Sequence, residues 1–149
     1  MNHTQMDEQQ LSQKIEDLLV ARNPRGMKTV QSALPQGYVL RAAQMMLPIR
    51  GTVLIGTGFP VVDTFETDGP VGAIALYQAF EALGAQPIIV CGAPLSGQLQ
   101  NTYRVHEITV GPNAHRDEEA LQALKKLQPE LIVSIERPGL AADGKYYNM

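Results

Sequence analysis

The chain has 149 residues, 44% of them hydrophobic and 18% charged, with a net charge of −3 from 12 basic and 15 acidic side chains. That length suits one ordinary domain, and that composition excludes a wholly disordered chain. The acidic balance, with basic residues clustered no further than Lys125-Lys126, leaves no footprint for a nucleic-acid partner, and the single cysteine, Cys91, excludes an internal disulfide and a multi-cysteine metal site.

The first ten residues are polar and lead into no apolar targeting core. The uncharged stretch 82–103 is broken by Gly84, Pro87, Gly92, Pro94 and Gly97, so no membrane span is expected and the default location is the cytoplasm. Leu11, Ile15, Leu18 and Leu19 fall at i, i+4, i+7 and i+8, which predicts an amphipathic helix ended by Asn23-Pro24 and Gly26. A second short helix is predicted over 38–47, stopped by Pro48. Residues 1–50 thus read as a helical lead-in to the same domain, whose α/β part occupies 51–149.

From residue 52 the period changes. The apolar runs 52–56, 87–91 and 131–135 predict strands buried on both faces of a parallel sheet. Residues 105–110, with His106, Glu107 and Thr109 interleaved, predict a strand nearer an edge. Between them, 69–83 carries Pro70 in its first turn and a narrow wet face, so it should pack hard on the sheet. In 116–127, Ala120, Leu121, Leu124 and Leu127 share a face, with three acids first and Lys125-Lys126 last, matching the helix dipole. The alternation predicts a three-layer, Rossmann-like α/β fold: a mostly parallel sheet of at least four strands, helices on both faces and right-handed crossovers.

Such sheets bind ligands beyond the carboxyl ends of their strands, where strand order reverses. The first strand leaves through Thr57-Gly58-Phe59-Pro60 and reaches its helix only near Gly69, a long connection for a strand–helix unit. It ends in Glu66-Thr67-Asp68-Gly69-Pro70, two carboxylates and a hydroxyl against a helix N-terminus that favours an anion. The plain reading makes Asp68 or Thr67 the helix cap, which leaves Glu66 and the loop length unexplained. A dinucleotide fingerprint fails because its third glycine would fall at Val61, and no P-loop sequence occurs. The last strand exits into Glu136-Arg137-Pro138-Gly139 and then Asp143-Gly144. A local ion pair and two turns would account for that string alone, but its charges share a sheet edge with Glu66 and Asp68. His3, His106 and His115 lack ligand spacing, Cys91 has no visible partner base, and Met27, Met45 and Met46 read as core fillers.

Those segments carry a resemblance. Val53-Leu54-Ile55 into Thr57-Gly58-Phe59, then Glu66-Thr67-Asp68-Gly69-Pro70 with Gly72-Ala73, resemble the D-glutamate cyclase C-terminal-domain family. The most specific match runs from Ile135-Glu136-Arg137-Pro138-Gly139 through Ala141-Ala142-Asp143-Gly144 to Tyr146-Tyr147-Asn148-Met149, and the likeness covers about 15–149. It implies a carbon–oxygen lyase that converts D-glutamate to 5-oxo-D-proline and water.

Ring-closure chemistry then suggests roles. Asp68 or Glu66 would take the amine proton, and Glu136 or Asp143 would act as acid. Arg137 would hold a substrate carboxylate, with Thr57, Gly58, Thr67, Gly69, Asp143 and Asn148 around the substrate. The carboxylates, Asp68 and Glu136 first among them, would alternatively hold a divalent cation, Mg²⁺ or Mn²⁺. The resemblance also implies further strands beyond Met149, so the fold and site are expected to be incomplete here and completed by a homo-oligomer copy or a complementing chain. The alternative is a non-catalytic module that binds a small molecule or a partner.

Overall fold

A computed structural model of the protein describes residues 6–61, 64–111 and 115–147. The chain divides into two compact units, Met1–Pro48 and Ile49–Met149, each taken by itself below.

The first unit holds α1 (Glu8–Val20), a 3-10 turn (Pro24–Gly26), α2 (Met27–Ser32) and α3 (Tyr38–Met46). Asp7 starts α1 with a reciprocal cap: its side chain accepts from Gln10 N at 2.7 Å and its own N–H donates to Gln10 Oε1. The buried face of α1 is not the leucine stripe. Ser12, Glu16 and Val20, at i, i+4 and i+8, are buried, while Leu18 and Leu19 are 76% and 65% exposed.

The physical reason lies at the start of α3, whose first N–H groups have no intrahelical partner. Glu16 accepts from Gly37 N and Val39 N, both at 3.1 Å, and from Ser12 Oγ at 2.6 Å; Ser12 Oγ in turn accepts from Leu40 N at 3.0 Å. A polar pair on α1 therefore docks α3. Met27 and Met45, read from sequence as core fillers, are exposed.

The second unit is the α/β part. Its strands are β1 (Thr52–Thr57), β2 (Pro60–Val61), β3 (Thr64–Phe65), β4 (Gln86–Cys91), β5 (Val105–Glu107) and β6 (Leu131–Ile135); its helices are α4 (Asp68–Ala82), α5 (Leu95–Leu99) and α6 (Arg116–Leu127). The main sheet is parallel in the order β5-β4-β1-β6. Chain order thus steps one way from β1 through β4 to β5, then reverses to place β6 on the other side of β1. The reversal lies between β1 and β6. β2 and β3 form a small antiparallel ribbon inside the long connection that leaves β1.

Paired residues in a parallel register share a face. Val53 and Ile55 of β1, Ile89 of β4 and Val133 and Ile135 of β6 look one way, and there α4 packs on the sheet through Ala73, Tyr77 and Phe80, all buried. Tyr77 also stacks edge-on against Tyr103, ring centroids 5.2 Å apart. Leu54, Val90, His106 and Ile132 look the other way, toward α6. Helices therefore cover both faces, as the three-layer expectation requires. The covering is unequal, since α6 has no buried residue and Ile132 is 58% exposed. β5 is an edge strand, shorter than its sequence pattern. Among the described residues, no helix is long and apolar enough to cross a membrane.

Candidate active site at the strand reversal

The exits of β1 and β6 lie side by side because Thr57 pairs with Ile135. Three predicted residues converge on Gly69, in the first turn of α4. A Cβ placed there would meet Glu136 Cβ at 2.7 Å, Thr57 Oγ1 at 2.8 Å and Glu66 Oε2 at 3.1 Å. Only a residue without a side chain lets the start of α4 approach the β6 exit so closely.

The cap of α4 comes from Glu66. Its carboxylate accepts from Asp68 N and from Gly69 N, the latter at 2.9 Å, whereas Thr67 occupies the cap position without a side-chain bond. The simple expectation that Asp68 or Thr67 caps the helix is corrected. Glu66 reaches back from outside the helix and already fills the anion-favouring position. Asp68 and Thr67 are left exposed beside it, and Asp68 makes no side-chain hydrogen bond among the described residues.

Thr57 is fully buried, and its Oγ1 has no hydrogen-bond partner among the described residues. Buried hydroxyls are rarely left unpaired, so this one marks the point where the two strand exits meet. Glu136 has φ +49°, a left-handed backbone that costs a non-glycine residue about 1–2 kcal/mol. Strain of that kind concentrates where a side chain must be aimed. Arg137 turns back across the strands: Nη1 donates to Thr57 O at 3.3 Å and Gly58 O at 3.2 Å, and Cδ lies 3.4 Å from where a Cβ on Gly56 would stand. Thr57, Gly58, Glu66, Gly69, Glu136 and Arg137 are thus brought together.

Asp143 is not joined to them by any bond. It sits in a tight turn closed by the Leu140–Tyr146 bridge, accepting from Lys145 N at 3.1 Å and from the Tyr147 hydroxyl. The Tyr147 bond holds the Asp143 carboxyl below its usual range, and the same bond pushes the Tyr147 phenol up. Asn148 lies outside the described residues. No group of three or more His, Cys, Asp or Glu side chains is arranged to hold a metal among the described residues.

A cavity of about 590 Å³ opens beside this crevice, on the α6 face of the sheet. Thr57, Gly58 and Arg137 border it, together with residues that spacing alone could not single out, notably His106 and Arg116. His106 Nε2 is buried without a partner among the described residues. The signal for His106 is the sheet register, which sets it in one row with Val90 and Gly56. Cys91 also lines the cavity, but burial pushes its thiol up to about 11; Arg137 pulls it down and Glu107 pushes it up. It is packing, not a nucleophile.

Comparison with known proteins converges on the same segments. Residues 15–149 match the family described as D-glutamate cyclase-like, C-terminal. The chain is 31% identical over 165 residues to the human protein "D-glutamate cyclase, mitochondrial", an alignment that covers 92% of this chain and 25% of that protein. The chain therefore spans about a quarter of that relative's length. Given a family match that contains both strand exits and the reversal between them, this chain belongs to the D-glutamate cyclase-like C-terminal family.

Proposed function

We propose that the crevice between β1 and β6 serves ring closure of an amino dicarboxylate of the D-glutamate type, giving 5-oxo-D-proline and water. The observation that carries this reading is convergence. The family motifs Glu66–Pro70 and Glu136–Gly139 meet at the one point of the sheet where strand order reverses, around an orphaned Thr57 hydroxyl.

In the reaction the α-amine nitrogen attacks the γ-carboxyl carbon. A C–N bond forms, a C–O bond breaks, and the oxygen leaves as water with two protons. Arg137 holds the α-carboxylate through guanidinium N–H groups not used on Thr57 O and Gly58 O. Asp68, exposed and unbonded beside the cap, takes the amine proton, while Thr57 Oγ1 contacts a carboxyl oxygen. Glu136, fixed by its strained backbone, gives the departing oxygen its proton. Glu66 keeps the start of α4 in place.

A divalent cation, Mg²⁺ or Mn²⁺, remains part of the proposal, with Asp68 and Glu136 as donors of the hard-oxygen type such ions take. So does completion of the site by a second copy or a complementing chain, for which the outer edge of β6, unpaired among the described residues, supplies a place. The expected cytoplasmic location is tested by subcellular fractionation.

The decisive assay follows 5-oxoproline from D-glutamate with each metal and with a chelator. Turnover that falls at least a hundredfold in Asp68→Asn and Arg137→Gln supports the reading, and no turnover in any condition refutes independent activity. A second reading, binding without catalysis, rests on the same crevice, whose Arg137 guanidinium would hold an amino dicarboxylate whether or not it cyclises. Calorimetric binding of D-glutamate without product would establish it.

A further inference from the structure

The cavity on the α6 face differs in character from the crevice. Val90 of β4 and His106 of β5 lie on its floor, in one paired row with Gly56 of β1. Neighbouring strands are about 4.8 Å apart, so the row runs about 10 Å from Gly56 to His106. Arg137 lies over the Gly56 end, where the missing side chain leaves it room. His106 stands at the other end with Nε2 lacking a partner among the described residues. Leu54, Ala123, Leu124 and Ile132 give the lining an apolar part, and Glu119, also on the lining, has a carboxylate oxygen engaged by Thr109 N and Oγ1. Over the mouth, the Arg116 guanidinium sits 5.2 Å from the Tyr146 ring centroid, tying the start of α6 to the 140–146 turn.

A volume of about 590 Å³ is within the range of small-molecule sites. A cation at the β1 end of the row and an imidazole at its β5 end, with apolar side chains between, do not match glutamate, whose carboxylates are close together and whose body offers little to apolar walls. They match a flat apolar body with an acid at one end. We propose that this cavity binds an elongated aromatic carboxylate, with its carboxylate on Arg137, its ring over Val90 and a second polar group at His106. Whether D-glutamate cyclises does not enter the argument. Where both readings hold, the two ligands compete for Arg137.

The probes are 3-(4-hydroxyphenyl)propionate and its unhydroxylated analogue 3-phenylpropionate, titrated calorimetrically into the whole chain. Saturable one-to-one binding of the hydroxylated acid is expected. Arg137→Gln should weaken it about tenfold or more, the loss of one charge-assisted pair. Ala123→Phe should abolish binding by filling the space, and Ile132→Trp, at an exposed position on the same wall, does so without demands on the core. His106→Phe should erase the preference for the hydroxylated acid while leaving the analogue's affinity unchanged. The proposal is overturned by absence of saturation up to roughly 5 mM, or by wild-type affinity in Arg137→Gln or in both filling variants with cooperative melting intact. Equal binding of succinate would also overturn it, because the walls would then contribute nothing.

Discussion

Replacing Gly69 by alanine tests the close approach on which the crevice depends. The new Cβ would stand 2.7 Å from Glu136 Cβ, about 0.8 Å inside the ~3.5 Å at which carbon atoms rest. Glu136 Cβ is tied to a backbone in the left-handed region, so it cannot swing aside as the end of a long side chain would. Either α4 or the β6 exit must shift. Overpacking of this kind costs about 1–3 kcal/mol, and alanine returns about 0.5–1 kcal/mol in helix propensity. The expected net loss is roughly 1–2 kcal/mol, at about 4–8 °C of melting temperature per kcal/mol in a unit of this size.

Gly97, in α5, is the control, because an added Cβ there meets nothing within 4 Å. Thermal unfolding followed by circular dichroism should show Gly97→Ala unchanged or raised and Gly69→Ala clearly lowered. If the two variants melt within about 1 °C of each other, the α4 start and the β6 exit are not pressed together, and the site as described does not exist.

Other outcomes follow from particular contacts. Glu66→Ala leaves Asp68 N and Gly69 N without their acceptor and should cost about 1 kcal/mol, with Glu66→Gln costing less, read from denaturant midpoints. Burial would raise the Glu16 carboxyl, but the bonds from Ser12, Val39 and Gly37, with the Arg41 charge, outweigh it and hold the group below its usual value near 4.5. The stabilisation is therefore present above about pH 4.5 and is lost as pH falls through the lower folded value. Acid titration of helicity in the first unit should show that loss, and Glu16→Gln should remove its pH dependence. Cys91, with its thiol near 11, should resist iodoacetamide at pH 8 in the native chain and react at once in denaturant; rapid native alkylation would contradict its burial.

Much of the second unit was legible because its signals are local. The apolar runs at 52–56, 87–91 and 131–135 are too short for helices and too continuous for a half-wet strand, and each is a strand of the parallel sheet. Helix α6 lies where its acids, lysines and Pro129 set it. The helix at 38–47 was equally plain, whereas α2 carried no period of its own. Failures came where long-range partners decide. The Leu11–Leu19 stripe gave α1 correctly but not its buried face, since Ser12 and Glu16 are drawn inward by N–H groups more than twenty positions away. The α4 cap could not be assigned from Asp68 and Thr67 because Glu66 reaches it only once the loop has folded back. Glu136 and Arg137 were recognisable as a pair, but not that one packs on Gly69 while the other crosses to Thr57 O and Gly58 O.

The place of β6 governs when the crevice can exist. Arg137 meets Thr57 across 80 positions of sequence, by way of a strand that, among the described residues, is held on one side only. Edge elements with few buried contacts open more readily than the rest of a structure. A fluctuation that releases β6 would leave β1, β4, β5 and α4 assembled while removing Glu136 and Arg137 in one event. Amide exchange at 131–135 should accordingly outpace exchange at 52–57 in the same molecule. The crevice can then come apart while the rest of the sheet stays assembled, and its lifetime is set by one five-residue strand.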